Sequence, residues 1–210
     1  MRRYEGQVSC PSTKNMNTAL ITEHPEAIAL LSSMYLCKPS REVIENWQIA
    51  LAEDRSGLLD DLKKAIAKTD VSSQKELEEL LWDYTRLFIG PYKLPCPPWE
   101  SVYTSPKRLM MQEAADQVDR LYKEAGLTIS TDDVMPDHIG AELNFLAVLL
   151  QKALSQTEKD FYMGIAGRFL DEHLLQWLPN FTKDLEDAAE TPLYKALART
   201  TRNVIGFAGK

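Results

Sequence analysis

Several things are scarce in this 210-residue chain, and each scarcity removes a class of explanation. Its three cysteines, Cys10, Cys37 and Cys96, are odd in number and far apart. None stands at a Cys-x-x-Cys or Cys/His spacing suited to zinc, so neither a disulfide framework nor a structural metal is expected. Reduced thiols in a cytoplasmic protein fit better. The nine glycines form no GxGxxG and no phosphate-binding loop, which leaves a nucleotide site poorly supported. Gly164 and Gly167 lie close together within a helical stretch, and they read as an aid to close helix packing. Basic excess is also missing. Lys and Arg number 24 against 31 Asp and Glu, a net charge of −7. That argues against a nucleic-acid partner and suits a basic or neutral one. No apolar run approaches the roughly 20 residues that span a bilayer. No Ser/His/Asp or Cys/His arrangement stands out, so catalysis has no warrant in the sequence.

Arg2-Arg3 resembles the start of a twin-arginine export signal, but the residues that follow, YEGQVSCPSTKN, are polar. The later stretch from Thr18 to Leu36 is interrupted by Glu23, His24, Pro25 and Glu26. Residues 1–16 are expected to form a flexible arm, with Met16 an alternative natural start, and 17–210 a single domain.

What is present is helical periodicity. Pro25 precedes AIALLSSMYL, apolar on most faces, as in a buried helix. Ser40 is placed to cap REVIENWQIALAED. Leu58, Leu59, Leu62 and Ile66 form a further stripe. Ser73 with Glu76 is a capping-box pattern, and Leu77, Leu80, Leu81, Tyr84, Leu87 and Phe88 follow at helical spacing until Gly90-Pro91. Ser105-Pro106 reads as the opening of a helix running to about Ala125. Pro136 reads as the opening of another, with Asp137 and His138 in its first turn. A long helix holds Phe161 through Trp177 and ends at Pro179. Two more follow, at about 180–190 and 193–206. No segment sustains strand alternation. The expected fold is all-α, a single bundle of nine or ten helices. The Gly126–Val134 connection is a plausible hinge for exchange between protomers.

Between these helices lies the most unusual segment, YTRLFIGPYKLPCPPWESVY, from Tyr84 to Tyr103. Five of the eleven prolines fall between Pro91 and Pro106. A long loop with no element of its own is usually functional or disordered. Disordered segments are poor in aromatics, whereas Tyr84, Tyr92, Trp99 and Tyr103 fall in or beside this one. A stiff aromatic loop is preset to bind an extended chain, because prolines leave little entropy to lose. Trp82 flanks the same loop.

Asp137 and His138 could be an exposed acid beside an imidazole, able to hold a cation and sense pH. The plainer reading is dipole complementation at a helix start and a half-buried histidine. His138 and Glu142 share a helix face, and Asp171, Glu172 and His173 form a second acid–histidine cluster. Together they suggest a metal- or nucleotide-dependent enzyme as the alternative to a binding protein. The spacing is weak for this, because bundle metal sites use paired Glu-x-x-His motifs and none occurs.

Taken together, RLFIGPYKLPCPPWESVY, the later MPDH and the late HLLQWLPNF resemble the TorD/DmsD/NarJ family of redox-enzyme maturation chaperones. The likeness runs from about Asn17 to the C-terminus and is closest to the DmsD-like branch. It implies an all-α cytoplasmic protein that is not an enzyme and needs no cofactor. Such chaperones bind the twin-arginine signal peptide of a molybdopterin-containing oxidoreductase precursor and delay export until the cofactor is inserted. Components of the twin-arginine translocase are further implied partners; nucleic acid and membrane insertion are not. Carried over by motif, the peptide-binding residues are Tyr84, Leu87, Phe88, Tyr92, Pro98, Trp99, Tyr103, Asp137 and His138. The chain departs from the family where Met135 stands in place of an acid.

Overall fold

The computed structural model describes residues 23–91, 93–128, 134–155 and 158–206. The proposed arm at 1–16, Cys10, Tyr92 and most of the suggested hinge lie outside the described residues. The described chain is all-α: α1 (Pro25–Leu36), α2 (Arg41–Glu53), α3 (Asp60–Ile66), α4 (Gln74–Phe88), α5 (Glu100–Thr104), α6 (Glu113–Glu124), α7 (Ile139–Leu154), α8 (Lys159–Phe169), a π-turn (Leu170–Leu174), α9 (Leu175–Ala188) and α10 (Pro192–Val204).

Helix α7 is the centre of the molecule. Ile139, Leu143, Phe145, Leu146, Leu149 and Leu150 are all buried on it. A helix apolar nearly all round must be covered on every side, and α1 and α8 lie against it. The contact with α1 depends on Gly140. A Cβ there would lie 2.5 Å from Leu36 Cγ and 3.2 Å from the Ser32 carbonyl oxygen. The closeness is secured by Ser32 Oγ, which donates to the Gly140 carbonyl at 2.6 Å. Gly164 and Gly167, by contrast, have no neighbour within 4 Å of such an added Cβ, so the expectation that this pair serves helix packing is corrected.

The caps at Ser40 and Ser73 form, with their hydroxyls accepting from Val43 N and Glu76 N. The Glu76 carboxylate reaches past the cap to Asp70 N at 2.8 Å. Three helix boundaries differ from the sequence reading. No helix opens at Pro106: Ser105 closes the short α5, and Arg108 and Met111 adopt left-handed φ of 51° and 55°, so α6 starts only at Glu113. Pro136 does not open α7 either. The chain from Asp137 to Ile139 is drawn into extended pairing with the proline loop, and α7 begins at Ile139. Pro179 does not end its helix. It lies in α9, where its missing N–H forfeits one bond, to Leu175, the first α9 residue. The π-turn just upstream widens the spiral, and Gln176 Nε2 donates to the Asp171 carbonyl at 2.7 Å. Residues 159–188 therefore run on as one rod.

Asp83 is buried on α4 and ties this helix to α10. Its Oδ2 accepts from Glu190 N, Thr191 N and Thr191 Oγ1, while Arg86 pairs with its Oδ1 at 2.6 Å. A carboxylate supplied from a distant helix thus caps α10, whose own Thr191 makes no side-chain cap.

Candidate functional site

The proline loop is bound to the segment before α7 by a short antiparallel pairing. Trp99 and His138 form the bridge, with Glu100 N donating to Asp137 O and Ile139 N to Pro98 O, each at 2.9 Å. The pairing presents the Trp99 and His138 rings edge to face, 6.0 Å apart and half-buried. His138 also caps α7, its Nδ1 accepting from Gly140 N at 3.1 Å. A nitrogen that accepts carries no proton, so the proton sits on Nε2. Burial lowers the His138 pKa from 6.5 to about 4, so the ring is neutral near pH 7.

Asp137 is not an exposed acid in the first turn of a helix. It is fully buried, and its Oδ2 accepts from both the backbone N and the Oγ of Ser101. Ser101 is the second residue of α5, so Asp137 caps that helix from 36 positions away. The carboxylate faces inward, which overturns the reading of an exposed acid able to hold a cation.

The other residues implied by the resemblance divide by burial. Tyr84, Leu87, Phe88 and Pro98 are buried. Tyr84 donates to the Tyr35 carbonyl at 3.0 Å, and Tyr84, Phe88, Tyr35 and Tyr194 form an edge-packed aromatic cluster. Burial raises the Tyr84 phenol to about 12. These four support the loop from beneath. Trp99, His138 and Tyr103 remain half-buried at its surface. Tyr103 packs on Trp177 and Phe181, donates to Asp184 Oδ2 at 3.2 Å, and carries the Arg108 guanidinium over its ring at 5.5 Å. Trp82 is 66% exposed on α4 and lines neither groove beside the loop.

Two grooves flank this surface. One, of about 690 Å³, is walled by Leu94, Pro95, Pro97, Trp99, Val102 and Met110, with Lys93 and Arg108 as its charges. The other, of about 790 Å³, lies beyond Tyr103 between α5, α6 and the π-turn.

Under the loop sits a buried polar cluster in which Glu100, unmarked by the sequence reading, meets His173, with Glu142 nearby. Glu100 and His173 are both almost fully buried and paired, His173 Nδ1 lying 2.9 Å from Glu100 Oε2. Glu142 is fully buried, and its Oε2 accepts from Trp177 Nε1 at 3.1 Å. Burial, with the neighbouring Glu100 carboxylate, raises the Glu142 pKa well above its ordinary value, so Glu142 holds its proton. The π-turn places His173 here, and no periodicity in the sequence signals such a turn. The residues of the enzyme alternative are therefore dispersed among structural duties: His138 caps α7, His173 pairs with Glu100, and Glu142 holds Trp177. Among the described residues no group of three or more His, Cys, Asp or Glu is placed to hold a metal ion.

The sequence model described as nitrate reductase delta subunit matches residues 48–183, a stretch that includes the whole loop, the Asp137–His138 pair and the π-turn. The chain belongs to the nitrate reductase delta subunit family. Within that family it is 31% identical to a protein of Haemophilus influenzae described as a Tat proofreading chaperone DmsD, over 66% of this chain and 63% of that protein. It is also 26% identical to the chaperone protein TorD of Aliivibrio salmonicida, over 73% of this chain and 77% of that one. The chain thus spans somewhat under two thirds of the DmsD relative's length. A solved structure described as a redox enzyme maturation protein, from Archaeoglobus fulgidus, superposes with a TM-score of 0.57 at 22% identity. It covers 95% of this chain and 98% of its own, a likeness of fold that agrees with the all-α architecture of the described residues.

Proposed function

We propose that this member of the nitrate reductase delta subunit family is a cytoplasmic maturation chaperone. It binds the twin-arginine signal peptide of a molybdopterin-containing oxidoreductase precursor, holds it back until the cofactor is in place, and then hands it to the twin-arginine translocase. It catalyses no reaction itself. The observation that carries this reading is the pairing of Pro98–Glu100 with Asp137–Ile139, which fixes Trp99 and His138 as a half-buried aromatic pair beside an apolar groove. The DmsD and TorD names of its relatives support it.

A guanidinium group favours planar carboxylate partners and aromatic faces. The net charge of −7 favours encounter with a cationic peptide. Release requires modest affinity, about micromolar, or roughly 8 kcal/mol. Tyr84, Leu87, Phe88, Pro98 and Asp137 contribute by holding the loop rigid, and Trp99, Tyr103 and His138 by contact. Calorimetry with signal peptides of candidate molybdoenzymes tests the proposal, with the arginine pair replaced by lysine as control. Micromolar binding weakened by lysine and by salt is expected. Failure to bind any such peptide would discard the reading.

A further inference from the structure

The two grooves beside Tyr103 differ in charge, and that difference has a direction. The Trp99 groove is apolar and has only positive charges, Lys93 and Arg108. The groove beyond Tyr103 is lined by three exposed carboxylates, Glu113, Asp171 and Glu172, by three glutamines and by the buried, His173-paired Glu100; no Lys or Arg lines it. None of the ion pairs among the described residues uses these three carboxylates. The wall between the grooves is thin. Tyr103 lines the acidic one, Arg108 lines the apolar one, and the two side chains stack on each other.

The loop that closes this wall is unusual. Arg108 and Met111 hold left-handed backbone without being glycine, and Leu109, Met110 and Met111 are 51%, 39% and 66% exposed. Unbranched methionines adapt their shape to different apolar partners.

We propose that the two grooves form one directional track for a single extended peptide. The arginine pair lies in the groove of Glu113, Asp171 and Glu172. The apolar stretch that follows crosses the Tyr103–Arg108 wall, under Met110, into the Trp99 groove. The assignment rests on the chaperone reading above and adds its polarity. Reversal would bring guanidinium groups against Lys93 and Arg108 and leave the apolar stretch among carboxylates, both unfavourable.

The test uses the full chain and two synthetic signal peptides, one with its arginine pair and one with both arginines replaced by glutamine. Asp171→Lys with Glu172→Lys should weaken the arginine peptide about tenfold and leave the glutamine peptide nearly unchanged. Met110→Gln should weaken both alike. All three positions are exposed, and unchanged unfolding midpoints exclude a folding defect. A photoreactive group beside the arginines should attach to α6 or the π-turn, and one at the apolar end to residues 93–99. If the unaltered chain binds and the charge reversal affects both peptides equally, or the attachment sites exchange places, the track is wrong while the chaperone reading stands. If the unaltered chain binds neither peptide, both fall.

Discussion

Replacing Asp137 by alanine distinguishes a carboxylate that touches the peptide from one that builds the surface. Asp137 is fully buried, and its Oδ2 receives the Ser101 backbone N–H at 3.0 Å together with the Ser101 hydroxyl. Ser101 is itself fully buried, so alanine leaves two donors without water or partner. Each hydrogen bond to a charged acceptor contributes about 1.5 kcal/mol or more, which puts the loss near 3 kcal/mol. For a chain of this size that lowers the melting temperature by roughly 6–12 °C. Asparagine keeps the shape and one acceptor, and should lower it by about half as much. Because Asp137 holds the first turn of α5 beside Trp99, peptide affinity should fall in both variants in step with the loss of stability. Thermal unfolding and titration calorimetry on the same preparations decide the matter. If Asp137→Asn abolished binding while the melting temperature stayed within about 2 °C of the unaltered chain, the carboxylate would contact the peptide directly and the reasoning from burial would fail.

Three further outcomes are expected. Gly140→Ala should cost about 1–3 kcal/mol in urea unfolding, since the new methyl meets Leu36 Cγ at 2.5 Å; an unchanged midpoint would show that α1 and α7 can part freely. His138 is held neutral in the fold, at a pKa of about 4 against 6.5, so the unfolded chain takes up its proton first. Stability should therefore be complete above pH 6.5 and decline as pH falls towards 4, by up to about 3 kcal/mol, and unfolding curves of His138→Gln should lack that component. Glu142 is the opposite case: its raised pKa means that the fold keeps a proton which the unfolded chain releases as pH rises above the ordinary glutamate value. Glu142→Gln should then raise the melting temperature at pH 7–8 while still accepting from Trp177, and a lowered one would mean that Glu142 is ionised in the fold.

The helices with strong local signals were legible before any coordinates. Ser40 and Ser73 cap where a hydroxyl three residues before an amide should, and the apolar stripes of α4 and α7 point inward except at Leu81, which is 40% exposed. What misled was proline taken as punctuation. Proline favours a helix's first turn, yet neither Pro106 nor Pro136 opens a helix. At Asp137–Ile139 the chain is captured instead by hydrogen bonds from residues nearly forty positions away, and nothing local records such a pairing. Pro179 is a stop by local rules, which do not include a π-turn just upstream. The same non-locality hid the buried cluster. Nothing local marks Glu100, and only the fold brings His173 to it. Motif resemblance singles out the loop and the Asp137–His138 segment, which the fold pairs with each other, but not which side chains face outward. That depends on packing against Tyr35, Tyr194 and Ser101.

The π-turn at Leu170–Leu174 acts as a phase shift in the rod that runs from α8 through α9. Each residue of an α-helix advances about 100° around the axis, so the one residue accommodated there rotates everything downstream by that angle. Upstream of it, Ile165 and Phe169 face the core; downstream, Trp177, Leu178, Phe181 and Leu185 do so in the shifted phase. A chain shortened by one residue within 170–174 would keep almost every amino acid and every helix propensity. It would nonetheless turn Trp177 away from Glu142 and Tyr103, and send polar neighbours such as Gln176 and Asp184 towards the interior. Register along this rod, more than the identity of any one side chain on it, keeps Trp177 and Phe181 packed against Tyr103.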